Sequence, residues 1–242
     1  MKSPTAQMPN VTCNAKMTSP TSIELKNIDS GDLDDVLKKV ENSFGFQFGK
    51  TELKDVHTFG ELCDIITSKV QGDDTNDCTT QQAFYKLSNA IAATLYIDKS
   101  SLTLTTRLKE LFPRQQRRKQ IKAVERHLDC QINLLRPKHW ISITFISLFL
   151  ASLVALYFSW QLGLIGLVGS IVLYKLVYKF GKELDLKTVR ELAEKIAREH
   201  YKKVRRNPAT VNRAEVAKKV KELFMTELAL EEDVLTRQAT FV

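Results

Sequence analysis

The chain has 242 residues, 43% of them hydrophobic and 26% charged, with a net charge of +8, which leaves room for one or two small domains beside its apolar centre. Cys13, Cys63, Cys78 and Cys130 lack C-x-x-C spacing, so they point away from a disulfide framework or zinc ribbon and fit reduced thiols in a cytoplasmic protein. His57, His127, His139 and His200 are as dispersed, and no Ser/His/Asp order, metal-ligand pair or phosphate loop is legible, so no catalytic residue and no metal is expected.

Residues 1–27 carry Pro4, Pro9 and Pro20 and no apolar signal core, and read as a disordered tail. A unit over residues 28–70 follows. Leu33, Val36, Leu37, Val40 and Phe44 mark one face of a helix closed by Gly45, and Thr58 with Glu61 forms a capping box opening a second helix through Val70. Beyond a polar linker at 71–78, a unit over 79–136 begins with a helix capped by Thr79 or Thr80, with Phe84, Leu87, Ile91 and Leu95 facing inward. A loop leads past Pro113 to a very basic helix with Ile121, Val124 and Leu128 on its apolar side.

Residues 140–178 are almost wholly apolar, too long for one membrane span and fit for two, about 141–158 and 162–178, turning at Ser159, Trp160 and Gln161. Arg136 and Lys138 before the run and Lys175, Lys179 and Lys182 at its close place both termini on the cytoplasmic side, a multi-pass location in the inner or plasma membrane. Trp140, Trp160 and Tyr178 fall where interfacial aromatics belong, and Ser147, Ala151 and Ala155 on one helix, with Gly166 and Ser170 on the other, predict close helix packing. Residues 182–202 resume the helical pattern with a capping box at Thr188 and Glu191, 203–212 form a linker broken at Asn207 and Pro208, and 213–242 carry the last helix and a loop.

The chain also matches itself. Phe84, Leu87, Ile91, Leu95, Ile97, Leu102, Thr103 and Leu108 align without a gap on Ala217, Val220, Phe224, Leu228, Leu230, Leu235, Thr236 and Phe241. Val40, Glu41, Phe44 and Gln47 align on Val124, Glu125, Leu128 and Gln131, and Thr58, Glu61, Leu62 and Ile66 on Thr188, Glu191, Leu192 and Ile196. The second match contains the apolar run as an insertion. The order of a helix, a Leu-Thr loop, a second helix, an apolar-polar-apolar exit and a short T-φ-x-E-L helix (φ apolar) resembles the acyl carrier protein family, over Phe84 to Leu135 with Leu184 to Ile196, and less completely over Asp29 to Val70. The incomplete unit lacks a first helix, for which residues 213–242 are the candidate, as in a circular permutation.

The apolar run and the resemblance together imply an all-α membrane protein: small acyl-carrier-like helical bundles on the cytoplasmic side, one of them interrupted by a two-helix transmembrane hairpin. A working carrier attaches phosphopantetheine to a serine at the start of its second helix, near the helix N-terminus. Arg114, Gln115 and Gln116 hold that place in the complete unit, whereas Asp29-Ser30 holds it in the incomplete one. Ser30 is therefore the one candidate attachment site, against the plainer role of capping a helix with acidic first-turn residues. Arg114, Arg117, Arg118, Lys119, Lys122 and Arg126 are expected to face anionic lipid headgroups, with nucleic acid the weaker reading because no groove-binding module accompanies them. The functional expectation is a non-catalytic, membrane-anchored, carrier-like scaffold or docking protein with an unknown protein partner and no cofactor. The alternatives are a membrane-tethered acyl carrier bearing phosphopantetheine at Ser30 and a regulator that binds anionic lipid.

Overall fold

A computed structural model describes residues 29–179 and 181–241, leaving outside the description the side chains at 139, 140, 142, 162 and 176–179; the tail expected over residues 1–27 also lies outside it. In α1 (Ser30–Phe44), Val36, Val40 and Phe44 recur at helical spacing and are buried, and Gly45 ends the helix in the left-handed region (φ 70°). α2 (Phe59–Lys69) opens on Thr58, whose hydroxyl accepts the Glu61 N–H at 3.2 Å while the Glu61 carboxylate accepts the N–H groups of Thr58 and His57 at 3.0 and 2.8 Å. These bonds hold the Glu61 carboxyl below its ordinary range, the His57 N–H contributing most. A two-residue strand β1 (Asp73–Asp74) precedes α3 (Thr79–Leu95), and a loop leads to the short α4 (Leu108–Leu111) and the basic α5 (Arg117–Leu128).

The chain then forms β2 (Leu135–Arg136), α6 (His139–Phe158), α7 (Trp160–Lys179) and β3 (Glu183–Leu184). It continues through α8 (Val189–Glu199), α9 (Tyr201–Val204), β4 (Thr210–Val211) and α10 (Arg213–Glu227). At Thr188 the hydroxyl accepts the Glu191 N–H at 3.3 Å, but the Glu191 carboxylate reaches one residue further back, to the Lys187 N–H at 2.8 Å.

Two hydrophobic cores result, and each is closed by helices far apart in sequence. In the first, Val216, Val220, Leu223 and Phe224 of α10 pack with Val40 and Phe44 of α1 and with Leu62 and Ile66 of α2. The Phe59 and Phe224 rings meet edge to face at 5.3 Å. In the second, Leu87 and Ile91 of α3 pack with Ile121 and Val124 of α5 and with Leu192 and Ile196 of α8, so the elements before and after α6 and α7 share one interior. Each fully buried Leu, Ile or Phe contributes roughly 1.5–3 kcal/mol, which is what draws these distant segments together.

The two cores share a set of matched loop bonds. Thr58 bridges Thr240 in the first, and Arg107 bridges Thr188 in the second, both antiparallel. The N–H of Phe59 donates to the Ala239 carbonyl at 2.9 Å, as Val189 does to Thr106 at 3.0 Å; Phe241 donates to His57 at 2.9 Å, as Leu108 does to Lys187 at 2.9 Å. Ala229 and Tyr96, which end the two first helices, both adopt positive φ (50° and 55°) although neither is glycine. Side-chain periodicity alone does not require such agreement in loops, so the matched bonds are what define the duplication.

The expected transmembrane hairpin is corrected here. Among the described residues no helix is long and apolar enough to cross a membrane. With the spans go the membrane-protein fold class and the multi-pass location inferred from flanking charge. What stands is a mostly helical protein in which α6 and α7 form an antiparallel hairpin projecting from the second bundle. The hairpin rests on an antiparallel ladder, Leu135 opposite Leu184 and Arg136 opposite Glu183. The expected face of α6 is also corrected: Ser147 and Ala151 are exposed, and Ser152 and Leu156 meet α7 instead. Gly163 and Gly166 decide this, because a Cβ on either would come within 2.5 Å of Leu156 or 2.6 Å of Ser152.

Candidate anion-binding groove

The segment from α8 to β4 joins the two bundles, and its charges are used structurally. Tyr201 lies in the first core with its ring 4.8 Å from Phe44, while Val204 lies in the second. Ser43 donates to the Arg198 carbonyl at 2.6 Å and accepts the Tyr201 N–H at 3.1 Å. Arg205 is wholly buried. Its guanidinium donates to Thr75 at 2.7 Å, Thr79 at 2.9 Å and Thr210 at 3.1 Å, so neutral oxygens satisfy a buried cation. The three threonines that hold it are scattered along the chain, and no spacing pattern signals them.

The basic residues of α5 divide into two groups. Arg117 is buried, with Nε donating to the Phe112 carbonyl at 2.9 Å and Nη1 to the Lys182 carbonyl at 2.5 Å; burial holds its pKa below the ordinary arginine value. It ties the base of the hairpin to α5 and cannot face a headgroup layer. Arg114 pairs with Glu183 of β3 at 3.1 Å. Arg118 is half-buried. Lys119, Lys122 and Arg126 are exposed along the outer side of α5.

Those last three line a groove of about 1030 Å³ together with Lys203 and His200 from beyond α8. Its acidic members are engaged: Glu125 accepts the Ile132 N–H at 2.9 Å, and Asp129 lies 3.5 Å from the Lys203 ammonium. His200 Nε2 is 2.7 Å from the Gln131 carbonyl oxygen. Cys130 lines the groove as a buried thiol pushed up to about 11, chiefly by burial, and burial likewise pushes Cys63 up to about 12. Neither thiol has thiolate character at neutral pH. Asn42 of α1 completes the wall and also lines a second groove of about 500 Å³ with Glu41, Gly45, Phe46 and Gln47. These last four and Asn42 are the counterparts, in the duplication, of Glu125, Asp129, Cys130, Gln131 and Arg126. The two grooves are thus sister sites side by side.

Ser30 is the exposed first residue of α1, next to an N-cap Asp29 whose side chain makes no capping hydrogen bond. Trp160 is exposed at the hairpin turn, and the side chains of Trp140 and Tyr178 lie outside the described residues. Among the described residues no group of three or more His, Cys, Asp or Glu could hold a metal ion.

Two interlocked cores and a shared pair of grooves define a duplicated helical-bundle protein. No family model matches the chain, and no curated protein or solved structure matches it.

Proposed function

We propose that this chain is a non-catalytic scaffold or docking protein made of two carrier-like helical bundles with exchanged connectivity. The observation that carries the reading is the uncovered apolar surface of the hairpin, where Ile146, Val154, Ile165 and Val168 are each 59–71% exposed. Apolar patches of this kind mark interaction sites when they persist on a folded protein. Degenerate rather than working carriers suit the second bundle, because Arg114 holds the place of a modifiable serine and is engaged with Glu183.

A photo-crosslinking residue at position 146, compared with one at the exposed Tyr96 outside the hairpin, tests this. A discrete protein adduct from position 146 alone is expected in an extract of the native cell; no adduct, or the same adducts from both positions, ends the docking reading. A second reading, an acyl carrier bearing phosphopantetheine at Ser30, is favoured by the exposure of Ser30 at the start of an acidic helix. Intact-mass measurement after incubation with coenzyme A and a phosphopantetheinyl transferase separates the two. The docking reading expects no gain, and a gain abolished by Ser30→Ala would establish the carrier.

A further inference from the structure

We infer that the groove lined by Lys119, Lys122, Arg126 and Lys203 is a binding site for a phosphate-bearing ligand, the sister groove at Asn42 being its inactive counterpart. The duplication provides an internal control. Both sites need the same scaffold. Glu41 accepts the Phe48 N–H at 2.6 Å, as Glu125 accepts that of Ile132 at 2.9 Å, and Gly45 and Asp129 both cap their helices at positive φ (70° and 53°). Where the scaffold makes no demand, the residues diverge. Asp35 stands opposite Lys119 and Asn42 opposite Arg126, in a helix of the same register, while Lys38 answers to Lys122.

Lys119 and Arg126 are therefore not a requirement of the fold. Gathering Lys119, Lys122, Arg126 and Lys203 around one groove costs mutual repulsion, which Glu125 and Asp129, the latter 3.5 Å from the Lys203 ammonium, offset only in part. A dianion relieves that repulsion. A phosphate monoester carries about −1.5 to −2 charge at pH 7 and three acceptor oxygens, matching point-charge lysines with one arginine fork. The groove, about 1030 Å³, exceeds a lone phosphate and is of the size that holds a phosphorylated small molecule or lipid headgroup. This assignment stands independently of what the hairpin docks.

The test uses the full chain. Binding of inorganic pyrophosphate is measured by calorimetry, and binding to phosphatidylcholine vesicles with and without phosphatidic acid by co-sedimentation. The variant Lys119→Asp with Arg126→Asn installs the residues that α1 carries at the equivalent positions, so folding is preserved; Lys38→Glu, on the sister helix and outside the groove, controls for a charge reversal as such. The double variant is expected to weaken binding at least tenfold, with Lys38→Glu within twofold of the parent. Pyrophosphate binding would mark a soluble ligand as the source, and binding only to phosphatidic acid vesicles a headgroup. Absence of binding to both probes overturns the assignment. So do equal binding by the double variant, an equal loss in Lys38→Glu, and binding of duplex DNA alone.

Discussion

Thr58 lies opposite Thr240 in an antiparallel bridge, so the N-cap of α2 is held by the segment that follows α10. The same threonine supplies the capping hydroxyl for Glu61. Thr58→Ala should cost about 1 kcal/mol, in line with N-cap losses, and Thr188→Ala a similar amount. Because the two caps serve separate cores, the double variant should lose close to the sum in urea denaturation. A clearly smaller combined loss would mean that the bundles unfold independently.

Gly60 sits where the returning segment comes closest. A Cβ there would be 2.7 Å from the Arg237 carbonyl oxygen, which also accepts the Gly60 N–H at 2.9 Å. Gly60→Ala is expected to lower stability by about 1–3 kcal/mol through overpacking against backbone. The counterpart in the second bundle is Arg190, whose N–H donates to the Leu104 carbonyl at 3.0 Å, so Arg190→Ala should fall within about 0.5 kcal/mol of the parent. Equal losses at both positions would rule out close backbone approach at Gly60 as the cause.

Arg205 fixes the junction of the bundles from inside. Arg205→Ala leaves the buried Thr79 and the half-buried Thr75 and Thr210 without their donor, and an unsatisfied buried polar group costs roughly 1–3 kcal/mol, so a loss of about 2 kcal/mol or more is expected. Arg205→Lys should restore only part of it, since one ammonium cannot reach three divergent oxygens. Thermal unfolding of the two variants measures the difference, and equal melting temperatures would remove the fork geometry from the explanation.

Burial pushes the Glu199 carboxyl above its ordinary value of 4.5, against the opposing influence of Lys195, Arg198 and His200, with Glu227 adding to the rise. A carboxylate raised in the folded state is better tolerated when protonated, so its penalty is absent below about 4.5 and grows as pH rises through the folded pKa. Glu199→Gln is therefore expected to stabilise the protein at pH 7, with the gain shrinking on acidification and gone below about pH 4.5. A gain independent of pH would show that the charge of Glu199 is not responsible.

The helices were legible because their signals are local. Val36, Val40 and Phe44 repeat within one turn of each other, Gly45 stops α1, and Thr58 with Glu61 encodes a cap in four residues. The candidate groove was legible in part: Lys119, Lys122 and Arg126 stand out on α5, but nothing nearby shows that Lys203 and His200 close the site or that Asn42 links it to a sister. Arg117 reads as surface charge until the carbonyls of Phe112 and Lys182 are brought to it.

By itself, then, the sequence determined where helices start and stop, which faces are apolar, and that two halves share a spacing. The tertiary structure alone decided which helix closes which core, which cations are taken inside, how α6 is rotated against α7, and that no described helix is long and apolar enough to cross a membrane. The division is physical. Periodicity and capping are settled within a few residues along the chain, whereas burial of a charge or a face depends on atoms that only folding brings within reach.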